Sequence, residues 1–410
     1  MLTNKQMEKY AELAVRIGAN MQKGQEVVIR CDVQCADFAH LIAQKAYEFG
    51  AKFVHMEWRD EKLDRINMLN ATKQAVSDIP CYRTSFWDYC IERKCCLISI
   101  SADDPNKFKG CDADKLSAYE VAFQMARQAF RNATMSNYLR WTIVSIPTPA
   151  WAKQIFPNDT QEVAIDKLWN AIGHIMRLDT KDPTEAWRKH IDTLVRRAEF
   201  MTKHNFEYLH LTNAQGTDLT VGLATDHLWI AAQEEGQDGI SFTANMPTEE
   251  VFTAPHNRKI NGVVTNALPL VNNGNVIDDF KIVFKDGKVV DYSAKVGYDA
   301  LKGLLSTDEG VLSLGEIALI GKNSPIAESG ILFYNTLFDE NASCHLAFGA
   351  SYPTTVKGGN DMTAEQLKEH GMNQSIQHVD FMVGTKDIDI DGIAYDGTVT
   401  PIFRNGEWVI

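Results

Sequence analysis

The sequence has little that would favour a polyanionic partner. Its 41 Lys and Arg are outnumbered by 54 Asp and Glu, a net charge of −13 over 410 residues, whereas phosphate-backbone binding relies on clustered cations that displace counter-ions. Nucleic acid and anionic membrane surfaces are therefore not expected as partners. Long apolar runs are also missing: residues 1–24 contain none of the length of a signal peptide or membrane anchor. They instead carry Met7, Tyr10, Ala14, Ile17 and Met21 at intervals of three or four, the stripe of an amphipathic helix. A cytoplasmic location is the expectation. Of the eight cysteines, seven fall in the first 111 residues and no pair forms Cys-x-x-Cys. Reduced thiols are expected rather than a disulfide framework. Cys31 and Cys35, read as one helical turn apart, have no second pair to complete a zinc site.

Familiar catalytic signatures are absent too. No Gly-x-Gly-x-x-Gly follows the first expected strand, so a dinucleotide is not implied, and neither His-Glu-x-x-His nor Gly-x-Ser-x-Gly occurs. Gly315 to Ser324 resembles a phosphate loop, but five residues separate its glycines and Asn stands before the Ser.

What is present is the composition of an ordinary globular protein, 45% hydrophobic and 23% charged, in a chain longer than one core usually serves. The fold class read from it is α/β: a doubly wound N-terminal domain over 1–182, a linking helix over 183–203, and an α+β, mainly antiparallel β, domain over 204–410. The first part rests on a strand at 25–32, a helix at 37–49 stopped by Gly50 and a strand at 52–58, a βαβ unit that implies a parallel sheet. Strands at 95–101 and 141–147 and helices at 114–132 and 159–176 extend it. Asp182, Pro183 and Glu185 supply start signals for the linking helix, whose stripe is Trp187, Ile191, Leu194, Ala198 and Met201. Beyond 205 the pattern changes to short alternating strands, with hairpin signals at Asp286-Gly287 and Asn405-Gly406. Thr363 and Gln366 form a capping box for a helix over 364–370.

Candidate chemistry concentrates in the second half. His378-Val379-Asp380 reads as strand, so His378 and Asp380 share a face and suit a divalent metal, or each other as a hydrogen-bonded pair. His345, among small and apolar neighbours, is a core histidine or a ligand; Asp339 and Glu340 just upstream need a partner if they are buried. Glu316 interrupts an apolar run read as a buried strand over 310–320. A carboxylate there must be exposed at an edge, neutral, or compensated by an arginine or a metal, and histidines elsewhere favour the metal. Glu249 and Glu250 suit a solvated loop; in an extended segment they face opposite ways, so at most one would be a ligand. Cys344 and His345, neighbours in a strand, also face opposite ways, which argues against a Cys/His nucleophile pair.

Taken together, the segment Met246–Thr253, Gly315-Glu316-Ile317-Ala318, Asp339 through His345, Tyr352 and His378-Val379-Asp380-Phe381 resemble the thermophilic aminopeptidase family, M29, over essentially the whole chain. The resemblance implies a metal-dependent aminopeptidase that removes N-terminal residues from peptides with a free amino terminus and acts as a homodimer. It implies two divalent ions per subunit, Zn²⁺, Co²⁺, Mn²⁺ or Mg²⁺, and a metal-activated water as nucleophile. Carried onto this sequence, the ligands are Glu250, Glu316, Glu340, His345, His378 and Asp380, with Glu316 bridging. Tyr352 corresponds to an active-site tyrosine, and Glu249 is a candidate general base or outer residue. Two rival readings are a non-catalytic peptide- or metal-binding protein on the same fold and a nucleotide-dependent enzyme using residues 315–324.

Overall fold

Val27, Val28 and Ile29 are buried in a strand, Glu26–Asp32, that is covered on both faces, as parallel strands are. In the computed structural model, which describes residues 2–272 and 275–410, this strand pairs in parallel with Phe53–Arg59 on one side and Cys96–Ile100 on the other. Trp141–Val144 completes a four-stranded parallel sheet. The helix Ala36–Glu48 turns Phe38, Ala39, Ile42 and Ala46 inward, which is the expected βαβ unit. The N-terminal stripe forms the helix Asn4–Leu13, continued by a π-helical turn Ala14–Gly18.

Three local expectations need correction. The helix read over 114–132 is two helices, Ala113–Ala126 and Gln128–Met135, meeting at Arg127. Cys31 lies in the first strand and Cys35 in the 3-10 turn Val33–Cys35, so they are not one helical turn apart. The strand read over 310–320 is only Leu314–Leu319, because Gly310–Leu312 forms a 3-10 turn. All eight cysteines are free thiols. Among the described residues no helix is long and apolar enough to cross a membrane.

The chain divides into two units, residues 1–189 with 233–247, and residues 190–232 with 248–410. The division falls inside the helix Pro183–His204, whose first turn is capped by Asp182 Oδ1 accepting the Glu185 N–H at 3.2 Å. The return of 233–247 to the first unit has a backbone cause. Ile143 N–H donates to the Ala244 carbonyl at 2.8 Å and Met246 N–H to the Ile143 carbonyl at 3.0 Å. That segment thereby adds a bridge to the strand Trp141–Val144, a non-local pairing with no local sequence signal.

The second unit is mainly antiparallel, as expected. Its nine-stranded sheet includes Asn275–Lys285 and Lys288–Val296, joined at Asp286-Gly287, and Val399–Arg404 and Glu407–Trp408, joined at Asn405-Gly406. Both turns have positive φ at both central residues, 49° and 83° in the first and 49° and 75° in the second. This is the type I′ geometry that Asp-Gly and Asn-Gly favour. The Thr363 capping box is formed on the helix Ala364–Glu369. A second, four-stranded antiparallel sheet runs His378–Met382, His345–Gly349, Leu314–Leu319, Val251–Thr253.

Candidate metal centre

The register of this small sheet decides what gathers on its face. Glu316 stands opposite Ala347, which stands opposite Asp380, so these three share a face. His345 and His378 are each two residues away along their strands and project the same way. Ala347 separates the two carboxylates and Gly349 pairs with His378, so small side chains leave the centre of the face open.

Glu316 reaches both histidines. Its Oε1 is 3.3 Å from His345 Nε2 and its Oε2 is 3.5 Å from His378 Nε2. His345 Nε2 also lies 3.5 Å from Glu250 Oε2, and His378 Nε2 lies 3.3 Å from Asp380 Oδ1. Ligand-type atoms of Glu250, Glu316 and His345 fall within 4.8 Å of one another, as do those of Glu316, His378 and Asp380. Two potential cation sites thus share one carboxylate.

The outer ring nitrogens are held by backbone. His345 Nδ1 contacts the Ser343 carbonyl at 3.2 Å and His378 Nδ1 the Ala350 carbonyl at 2.7 Å. A carbonyl only accepts, so each Nδ1 carries a proton, and loss of the second proton leaves the Nε2 lone pair turned into the cluster. That is the orientation a metal-binding imidazole requires.

Electrostatics points the same way. Burial pushes the Glu250 carboxyl up to about 7, with Glu316 and Asp380 repelling its charge and the histidines opposing the rise. Burial, reinforced by Glu250 and Asp380, pushes Glu340 well above the ordinary range. Burial works against the charged form of His345, yet its bond to Glu316 and the surrounding carboxylates push it up to about 10. His378 rises to about 9 against the same opposition, through Asp380 and Glu316. Burial opposes ionisation of Asp380, but the His378 contact holds it below the usual value.

No lysine or arginine is among the strongest influences on Glu250, Glu340 or Asp380. Among the described residues the ion pairs of Glu250, Glu316 and Asp380 are with His345 and His378 rather than with arginine, a donor set that a cation fits. Asp380 Oδ1 is buried and, beyond the 3.3 Å approach of His378 Nε2, makes no hydrogen bond, which suits an atom that can ligate an ion. Carboxylate oxygens and imidazole nitrogens with no thiolate suit Zn²⁺, Co²⁺ or Mn²⁺.

The remaining site residues sit around this face. The Tyr352 ring lies 4.8 Å from the His378 ring, and burial, then the charges of Glu316 and Asp380, raise its phenol far above its usual range. It stays a neutral donor. Glu249 is buried, not solvated as a loop residue would be, and its Oε2 lies 3.4 Å from His190 Nε2 while Glu250 faces the cluster. The adjacent glutamates thus face different partners. His190 and Asn341 were not singled out from sequence. Asn341 is fully buried, accepts the Glu249 N–H at 2.8 Å and donates to the Leu337 carbonyl at 3.2 Å. Neither carried a local signal, because each acts through a segment distant in the chain. Cys344 Sγ contacts the Ile320 backbone at 3.3 Å, apart from His345.

Known proteins resemble this chain throughout. The family model described as thermophilic metalloprotease (M29) matches residues 3–408. Aminopeptidase 2 of Geobacillus stearothermophilus is 44% identical over 404 residues, 98% of each chain. Aminopeptidase PepS of Streptococcus thermophilus is 44% identical over 405 residues, again 98% of each. The solved structure of wild-type AmpT from Thermus thermophilus superposes with a TM-score of 0.93 at 36% identity, covering 99% of both chains. A shared-carboxylate cluster inside a chain matched end to end by these enzymes leaves one assignment: the chain belongs to the thermophilic metalloprotease family, M29, and is a hydrolase, a metal-dependent aminopeptidase.

Proposed function

We propose that the chain removes N-terminal residues from peptides at a dinuclear metal site in its second unit. Glu250, Glu316 and His345 would hold one divalent ion and Glu316, His378 and Asp380 the other, with Glu340 as a further ligand. The observation that carries this reading is the division of Glu316, one oxygen toward each histidine. When bound, two such ions supply Lewis acidity and a water acidic enough to ionise near neutral pH.

The chain's own residues do the rest. The Ser343 and Ala350 carbonyls fix the two imidazoles in the binding tautomer. Tyr352, neutral and beside His378, donates a hydrogen bond to the oxyanion that develops on the scissile carbonyl. Glu249 acts as an outer residue, held between His190 and Asn341, or takes the proton of the nucleophile. Zn²⁺, Co²⁺, Mn²⁺ and Mg²⁺ are the ions to test. The protein is read as a cytoplasmic homodimer that takes peptides with a free amino terminus.

Aminoacyl-p-nitroanilides, tried with chelator, with each metal restored and with an N-acetylated control, test the assignment. Release that is lost to chelator, restored by metal and abolished by N-acetylation is expected. E316Q should remain folded, lose turnover and bind less metal; wild-type activity in that variant would sink the ligand assignment. Metal binding at these residues without any cleavage would instead select a binding module.

A further inference from the structure

A second cluster lies wholly inside the first unit and includes none of the proposed metal ligands. Arg30 lies near the carboxyl end of the strand Glu26–Asp32, directly opposite Glu57 on Phe53–Arg59. It sits above the apolar cluster of Val28, Trp87, Leu97 and Phe130 and is 6% exposed. Its Nε donates to Glu57 Oε2 at 2.5 Å, and Trp87 Nε1 donates to Glu57 Oε1 at 3.1 Å. Both carboxylate oxygens are engaged, yet Arg30 Nη2 is buried with no hydrogen-bond partner.

Arg127, at the junction of Ala113–Ala126 and Gln128–Met135, shares the same aromatic ring. The guanidinium carbons of Arg30 and Arg127 each lie 5.4 Å from the Phe130 centroid, and that of Arg127 lies 5.8 Å from Phe123. Such stacking holds planar guanidinium forks in fixed positions. Arg127 Nε is likewise buried and unpartnered. Burial, then Arg30 and Arg59, bring Arg127 down to about 10; Glu57 is the one carboxylate among its strongest influences, against Arg30, Arg59 and Arg131. Arg30 and Arg127, both desolvated, share the single carboxylate of Glu57 and are short of one negative charge, whereas Arg59 also has Asp64 and Asp103 in reach.

The place in the fold is also suitable. The strand order puts Glu26–Asp32 between Phe53–Arg59 and Cys96–Ile100, so the connection after the first strand runs to one side and that after Cys96–Ile100 to the other. The reversal lies between Glu26–Asp32 and Cys96–Ile100, where Arg30 stands opposite Ser99. Open α/β sheets bind ligands beyond the carboxyl ends of their strands at such a reversal. Arg59 ends its strand there and is exposed, which gives the cluster a solvent side.

We propose that Arg30, Arg59 and Arg127 form a binding site for a small oxyanion of phosphate or carboxylate type within the first unit. Planar forks pair with either oxyanion in bidentate fashion. The test is thermal stability of the full metal-loaded protein titrated with inorganic phosphate, sodium acetate or sodium chloride at matched ionic strength. Oxyanions also bind metal ions, so the readout is the difference between wild type and R127Q. A saturable rise with phosphate or acetate that exceeds chloride is expected, with R127Q weakening the apparent affinity about tenfold or more. Phosphate alone would assign the phosphate class and acetate alone the carboxylate class. If R127Q does not fold, R59Q, at an exposed position, takes its place with the same expectation. An equal rise in wild type and variant, or none above chloride, overturns the proposal.

Discussion

His345 and His378 make the protonation of the cluster measurable. In the metal-free protein their pKa values stand at about 10 and about 9, above the ordinary 6.5, because carboxylates outweigh the burial that opposes charge. The folded state then binds more protons than the unfolded state across that interval. Stability from these groups is full below about pH 6.5 and is lost as pH rises toward 9 and 10, by at most about 1.4 kcal/mol per pH unit for each group. Glu250, raised to about 7, adds a fall between about pH 4.5 and 7. Metal ligation requires deprotonated forms, so metal should stabilise more as pH rises. Melting curves from pH 6.5 to 9 should therefore fall in chelator and flatten or reverse with saturating metal. A chelated protein that gains stability over that range would contradict the assigned environment.

At the scale of elements, the cluster depends on how segments are tied together. Val251–Thr253 pairs with Leu314–Leu319, which carries Glu316, and Asn341 ties the backbone at Glu249 to the turn that bears Glu340. N341A removes the acceptor for the Glu249 N–H and the donor to Leu337, freeing Glu250 and Glu340 to move apart. An outer-shell loss of this kind typically lowers metal affinity ~10- to 100-fold. Competition against a chelator of known affinity measures it, and N341D, which retains the acceptor, should recover part of the loss. Unchanged affinity in N341A would show that the strand pairing alone sets these glutamates.

For the whole molecule, the two units carry different chemistry. All the proposed ligands lie in residues 190–232 and 248–410, while the arginine cluster lies in the other unit. Calorimetry should show metal raising the transition of the second unit by up to ~4 kcal/mol at a thousandfold excess over Kd, and leaving that of the first in place. One transition that moves as a whole would mean that the units unfold together.

The sequence by itself determined features whose cause is local. Strand alternation put His378 and Asp380 on one face and separated Cys344 from His345; Asp286-Gly287 and Asn405-Gly406 chose their hairpins because positive φ is cheap there. It also narrowed the buried Glu316 to a few compensators, since an unpaired buried carboxylate is costly. The family resemblance already named Glu250, Glu316, His345, His378 and Asp380 together, but the physical cause of their convergence lies in the tertiary structure, because antiparallel register joins strands that are distant in the chain. The tertiary structure also fixed the register that turns Glu250, as the resemblance implied, and not Glu249 to the cluster, and it alone decided that Asn341 ties the two segments and that 233–247 rejoins the first unit. Each of these rests on one long-range backbone or side-chain pairing, and periodicity along the chain carries no information about which distant segment will supply the partner.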